Sequence, residues 1–100
     1  MNNVPQGLVS FQADVVKALG HPLRIEIVNF LKARERSVSD IIEHFAADPS
    51  NVSRHLAILK RAGILGSKKS GLSVSYRVQM GCVSQFLTGL GSEVKRKFEH

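Results

Sequence analysis

The strongest constraint on this chain is the place where its hydrophobic period changes. Up to Gly63 the apolar residues recur at spacings of three and four, the period of an amphipathic helix. From Leu72 to Val78 they alternate with Ser73, Ser75 and Arg77, the two-residue period of a half-buried strand. The helical period then returns. A chain of 100 residues that switches period in this way has room for several short helices, one hairpin and a closing helix around one small core.

Turn signals divide the helical part. Leu8, Phe11, Val15 and Leu19 form one stripe and predict a first helix over about 8–19, stopped by Gly20. Residues 1–7 read as a flexible tail. Glu99 and His100 read as native residues or as the remnant of a purification tag, without functional weight. Pro22 opens a second helix, where its missing N–H costs nothing, and Leu23, Ile27, Phe30 and Leu31 are its buried face. Ser37 is the expected N-cap of a third helix, with Asp40 reaching back as in a capping box. Ile41, Ile42 and Phe45 are its apolar residues. Asp48-Pro49 repeats the start signal, and a fourth helix runs to about Ala62, with Gly63 as its stop. Ile64 and Leu65 begin a short strand, and Lys68-Lys69-Ser70-Gly71 forms a polar hairpin tip before the alternating strand. The last helix starts near Cys82 and carries Val83, Phe86, Leu87, Leu90, Val94 and Phe98; Gly89 and Gly91 weaken it, so it must pack against something. The expected fold class is mainly α with a two-stranded β-hairpin, in the order α-α-α-α-β-β-α. Two short helices joined by a tight turn and followed by a hairpin make a winged helix-turn-helix.

Charge points to a partner. Fourteen Lys and Arg against eight Asp and Glu leave a formal net charge of +6, which favours polyanions, nucleic acid before an anionic membrane surface. Arg54, Lys60, Arg61, Lys68, Lys69 and Arg77 lie in a stretch that no acidic residue interrupts. No run approaches the roughly 18 apolar residues of a membrane span, and the N-terminus lacks a basic region followed by an apolar core, so the expected location is the cytoplasm. The single cysteine, Cys82, can form no internal disulfide.

At about 100° per residue, Val52, Leu56 and Leu59 share one arc of the fourth helix, while Ser50, Arg54, Ala57 and Arg61 share the opposite one. Small residues between two arginines let such a helix enter a major groove. Arg54 suits the acceptors of guanine and Asn51 suits adenine; Ser50 and Ser53 can bond bases or phosphates, and Lys60 and Arg61 suit phosphate. His55 lies at the edge of the buried arc, where a phosphate contact or a local hydrogen bond is open to it. Lys68, Lys69 and Arg77 on the hairpin can reach phosphate or a minor groove. The plainer alternatives are a solvated amphipathic helix and a lysine-rich hairpin that keeps edge strands soluble.

Three stretches resemble the ArsR/SmtB family of winged-helix repressors. Leu19-Gly20-His21-Pro22-Leu23-Arg24-Ile25 is similar to the family's "L-x-H-P-x-R" opening of its second helix. Ser50-Asn51-Val52-Ser53-Arg54-His55-Leu56 is similar to "S-x-V-S-x-H-L" of its recognition helix. Leu59 to Leu65, then Gly71 and Tyr76-Arg77, resemble "L-x-x-A-G-L-V" and the wing that follows it. The likeness spans about residues 11–98. It implies a cytosolic homodimer joined through its first and last helices, with Leu8, Phe11, Val15, Val83, Phe86, Leu87, Leu90 and Val94 as the expected seam. The residues themselves agree in part: Val83, Leu87, Leu90 and Val94 make a helical stripe with no obvious partner in so small a domain, although monomer core is the other reading.

Many members of that family release DNA on binding a metal, and here the sequence departs from those patterns. Ser37-Val38-Ser39 stands where a soft-metal site has "C-V-C", and hydroxyls are poor ligands for soft ions. The last helix opens Met80-Gly81-Cys82 and later offers Glu93 and Arg96, not the Asp, His and Glu of a zinc-type site. No metal and no cofactor are expected, and the inducer is left unassigned. His21 reads as structural and His44 as a surface partner of Asp40. No nucleophile-base pair, phosphate loop or paired carboxylates suggest an enzyme. The leading expectation is a homodimeric, sequence-specific regulator, acting as a repressor, that binds double-stranded DNA. The alternatives are a winged-helix protein-interaction module and a regulator responding to oxidation of Cys82.

Overall fold

The computed structural model describes residues 6–99; the expected tail at 1–5, and His100, lie outside the described residues. Five helices and three strands follow one another: α1 Gln6–Ala18, α2 Pro22–Leu31, β1 Arg36–Ser37, α3 Val38–Phe45, α4 Pro49–Arg61, β2 Leu65–Ser70, β3 Ser73–Val78 and α5 Gly81–Phe98. The expected helices and hairpin are all present. Three boundaries differ. Gln6 and Gly7 belong to α1, not to a tail. Lys68, Lys69 and Ser70 are paired residues of β2 rather than the hairpin tip, which is Gly71 and Leu72. Leu72, expected on the inward face of the alternating strand, is consequently fully exposed.

The sheet has a third strand. β1 pairs with β3 through Arg36 opposite Tyr76 and Ser37 opposite Ser75, giving the order β1-β3-β2. Two residues carry no period, so nothing in the pattern marked them. The pairing ties the start of α3 to the hairpin, and Ser75 Oγ donates to Glu35 at 2.8 Å beside it.

Caps act as read. Ser37 Oγ accepts from the backbone N–H of Asp40 at 3.0 Å, starting α3. Asp48 Oδ2 accepts from the N–H of Asn51 at 3.1 Å, and Pro49 occupies the first turn of α4. Between them Ala46 stops α3 in the left-handed conformation (φ 48°, ψ 40°), a position where a Cβ is unfavourable. Gly63, with φ 84°, closes α4 and turns the chain into β2.

The core lies where α2, α3, α4 and the sheet meet. Ile27, Val28, Leu31, Ile41, Val52, Leu56, Leu59, Ile64 and Leu65 are essentially inaccessible to water. Each such side chain contributes about 1.5–3 kcal/mol by leaving solvent. Ala18 and Leu19 at the end of α1, and Val83 and Leu87 of α5, complete it.

Candidate nucleic-acid interface

Helix α4 is held by one face and bare on the other. Val52, Leu56 and Leu59 are at most 1% exposed, while Ser50, Ser53, Arg54, Ala57, Lys60 and Arg61 are exposed and Asn51 is half-buried. The arc read from the sequence is thus the one that packs. Three polar side chains of this face are already engaged locally: Ser50 Oγ donates to Asp48 at 3.0 Å, and Arg54 Nη1 donates to Asn51 Oδ1 at 3.3 Å. Among the described residues the ion pairs are Lys95–Glu99 and Arg96–Glu93, both on α5. Arg54, Lys60, Arg61, Lys68, Lys69 and Arg77 have no carboxylate partner there, so their charge faces outward uncompensated.

His55 departs from the expected groove-facing set. It is 6% exposed, and its Nδ1 accepts from Arg24 Nε at 3.0 Å. Its ring lies 4.4 Å from that of His21, whose own Nδ1 accepts from the N–H of Leu23 and so caps α2. Arg24 Nη1 also donates to the carbonyl of Ala18 at 3.1 Å. His55 therefore works from inside, joining α4 to the end of α1 and the start of α2. Burial, and then the charges of His21, Arg24 and Arg54, hold its pKa below the ordinary 6.5. A ring whose Nδ1 accepts a hydrogen bond is a neutral one. Periodicity could not reveal this link. Its only trace is that both residues fall in the motif-like stretches, 31 positions apart.

The hairpin places its cations at two levels. Lys68 and Lys69 are exposed midway along β2, opposite Ser75 and Val74. Arg77 sits nearer the root, opposite Gly66. A Cβ on Gly66 would come within 2.9 Å of the Arg77 guanidinium and 2.7 Å of Gln79 Oε1. Glycine at this position is what lets Arg77 lie across β2.

The expected dimer seam separates into two groups. Val83 and Leu87 are buried within the protomer, because α5 leans on α2 with that side; they belong to the monomer core and not to a free seam. Leu8, Phe11, Phe86, Leu90 and Val94 are 45–51% exposed, and Val15 is half-buried. An open groove of about 390 Å³ runs between α1 and α5, lined by Phe11, Val15, Val83 and Phe86 among others. Among the described residues no group of three His, Cys, Asp or Glu side chains converges, and no helix is long and apolar enough to cross a membrane.

Residues 21–67 match the model of the bacterial regulatory proteins of the arsR family. The HTH-type transcriptional regulator Rv0081 of Mycobacterium tuberculosis is 31% identical over 81 residues, covering 80% of this chain and 71% of that protein. The chain belongs to the arsR family. A second family relative is the transcriptional repressor SdpR of Bacillus subtilis, 35% identical over 63% of this chain and 70% of its own length. The crystal structure of Rv0081 superposes with a TM-score of 0.81 at 27% identity over 95% of this chain and 96% of that one. The solution structure of a homodimeric winged helix-turn-helix DNA-binding domain from Mycobacterium bovis gives a TM-score of 0.85 at 24% identity, covering 100% and 95%, and shares the fold. This arsR-family chain therefore has the winged helix-turn-helix architecture, with α3 and α4 as its two helices and β2–β3 as its wing.

Proposed function

We propose that this protein is a sequence-specific regulator of transcription that binds double-stranded DNA as a homodimer on a pseudo-palindromic operator, acts as a repressor and works in the cytoplasm. The observation that carries this reading is the two-sidedness of α4: an aliphatic face locked in the core and an outer face of Ser50, Asn51, Ser53, Arg54 and Arg61 whose two arginines have no carboxylate partner among the described residues. In this reading Arg54 and Asn51 exchange their mutual hydrogen bond for base edges, and Ser50 and Ser53 bond bases or phosphates. Lys60, Arg61, Lys68, Lys69 and Arg77 neutralise backbone phosphates and position the helix. His55 serves as a brace for α4. Leu8, Phe11, Val15, Phe86, Leu90 and Val94 meet their copies across a two-fold axis, which sets two α4 helices on two half-sites. The family's repressors and its homodimeric structural neighbour support this assignment. The cysteine pair of the soft-metal sensors is replaced by Ser37 and Ser39, so derepression does not run through that metal site.

The test compares two substitutions on selected and scrambled duplexes across a salt titration. Arg54→Ala should cost about 1–3 kcal/mol on the selected site and relax base preference there. Lys69→Ala should weaken both duplexes alike and flatten the salt dependence. Equal losses from both substitutions on both duplexes count against base reading by α4, and binding that ignores salt counts against DNA altogether.

A further inference from the structure

Beside the outer face of α4 lies a small pocket that shares only Arg61 with the proposed DNA contacts. It is about 250 Å³ in volume and is lined by Asp14, Lys17 and Ala18 of α1, Arg24 of α2, and Ile58, Arg61 and Ala62 at the end of α4. Three cations thus face one carboxylate, and none of the three forms an ion pair among the described residues. Arg24 caps the end of α1 at the carbonyl of Ala18 through Nη1 alone, and the other carbonyls at these helix ends do not require Lys17 or Arg61. At the end of α1 the carbonyls of Val15, Val16 and Lys17 accept from the N–H groups of Leu19 and Gly20. At the end of α4 the carbonyls of Ile58, Leu59 and Lys60 accept from Ala62, Ile64 and Gly63. Arg24 is held in place by His55 and the carbonyl of Ala18 through Nε and Nη1, and its Nη2 has no protein partner among the described residues.

We infer that this pocket binds a phosphate group. A positioned guanidinium, a second one and an ammonium match phosphate oxygens in geometry and charge. The volume falls below the roughly 300–1,000 Å³ of sites that enclose whole drug-sized ligands, which suits one tetrahedral anion. Asp14 opposes the anion and keeps its binding weak enough to exchange. The phosphate belongs either to the DNA backbone flanking the groove that α4 enters, on the α1 side, or to a free phosphate. The first source rests on the DNA-binding reading above; the site itself does not.

Two substitutions one turn apart on α1, neither on α4, test it by opposite signs. Lys17→Gln removes a cation from the pocket and Asp14→Asn removes its only carboxylate. Lys32→Gln, on an exposed residue capping α2, changes net charge as Lys17→Gln does and serves as control. In the duplex arm, Lys17→Gln should weaken binding and make the log–log salt slope shallower by about 0.9, the signature of one lost phosphate contact. Asp14→Asn should tighten binding, and Lys32→Gln should leave the slope unchanged. In the second arm, inorganic phosphate is titrated against the full chain while the backbone amide shifts of Ala18 and Ala62 are followed. Saturation there should weaken in Lys17→Gln and strengthen in Asp14→Asn. Changes in the duplex arm assign the site to a DNA phosphate. Changes in the phosphate arm alone assign it to a free phosphate. If Lys17→Gln and Asp14→Asn match Lys32→Gln in both arms, the pocket binds no phosphate. Should wild-type protein bind no duplex at all, the DNA reading fails and the phosphate arm decides the pocket by itself.

Discussion

Helices α4 and α5 carry apolar stripes of the same kind, and the protomer uses them differently. In α4 every member of the stripe is inside: Val52, Leu56 and Leu59 leave almost nothing to water. In α5 only Val83 and Leu87 are inside, while Phe86, Leu90, Val94 and Phe98 remain largely exposed. The starts differ too. Asp48 caps α4 through its carboxylate, whereas Met80 opens α5 without a side-chain cap. Gly89 and Gly91 face open space, so no close approach within the protomer explains them. The contrast teaches that one folded chain sets the position of α4, while the outer half of α5 leaves apolar surface that the protomer does not cover. Under the proposed function the difference has a reason: a helix that reads DNA must be rigid before it meets its target, and a helix that joins two copies must keep apolar surface for its partner.

Leu59→Ala should give the largest effect, a loss of about 2–5 kcal/mol in denaturant unfolding, because the cavity forms in a closed core. Leu90→Ala should leave the isolated protomer within about 0.5 kcal/mol of wild type, yet weaken self-association by about 1.5–3 kcal/mol per protomer in sedimentation equilibrium. If Leu90→Ala unfolds the protein as readily as Leu59→Ala, the distinction between the two helices breaks.

Two smaller changes sharpen the picture of how α4 is held. Ala46→Gly should raise unfolding stability by about 0.5–1 kcal/mol, since glycine relieves the left-handed residue that sets the α3–α4 turn. The smallest effect should come from pH. His55 is kept neutral in the fold with its pKa below 6.5, so as pH falls the unfolded chain takes up the proton first. The stability from His55 is full above its unfolded pKa and declines as pH falls from there through the folded value. Denaturant midpoints at about pH 7.5 and about pH 5.5 should therefore differ in that direction, and His55→Gln should remove that part of the difference.

Much of this was legible in the chain. The period of three and four gave the stripe of α4, and Ser37, Asp48 and Gly63 marked helix ends that the structure places within a residue or two. The outer face of α4 follows from the same arithmetic, since 100° per residue determines both arcs at once. Other features were not legible. β1 has two residues and no period. Lys68 and Lys69 looked like a tip because charge and Ser-Gly suggest a turn, but strand pairing runs on to Ser70 opposite Ser73. Val83 and Leu90 share a stripe, and only packing shows that the first belongs to the core.

Local signals thus determined by themselves which segments are helical, where they stop and which arc of α4 is polar, because caps, turns and periodicity act over a few residues. Tertiary structure alone decided that His55 is a brace, that Gly66 seats Arg77, and that Lys17, Arg24 and Arg61 share one pocket. Those relations join residues 7 to 44 positions apart in sequence, and they exist only once the core has brought the helices together.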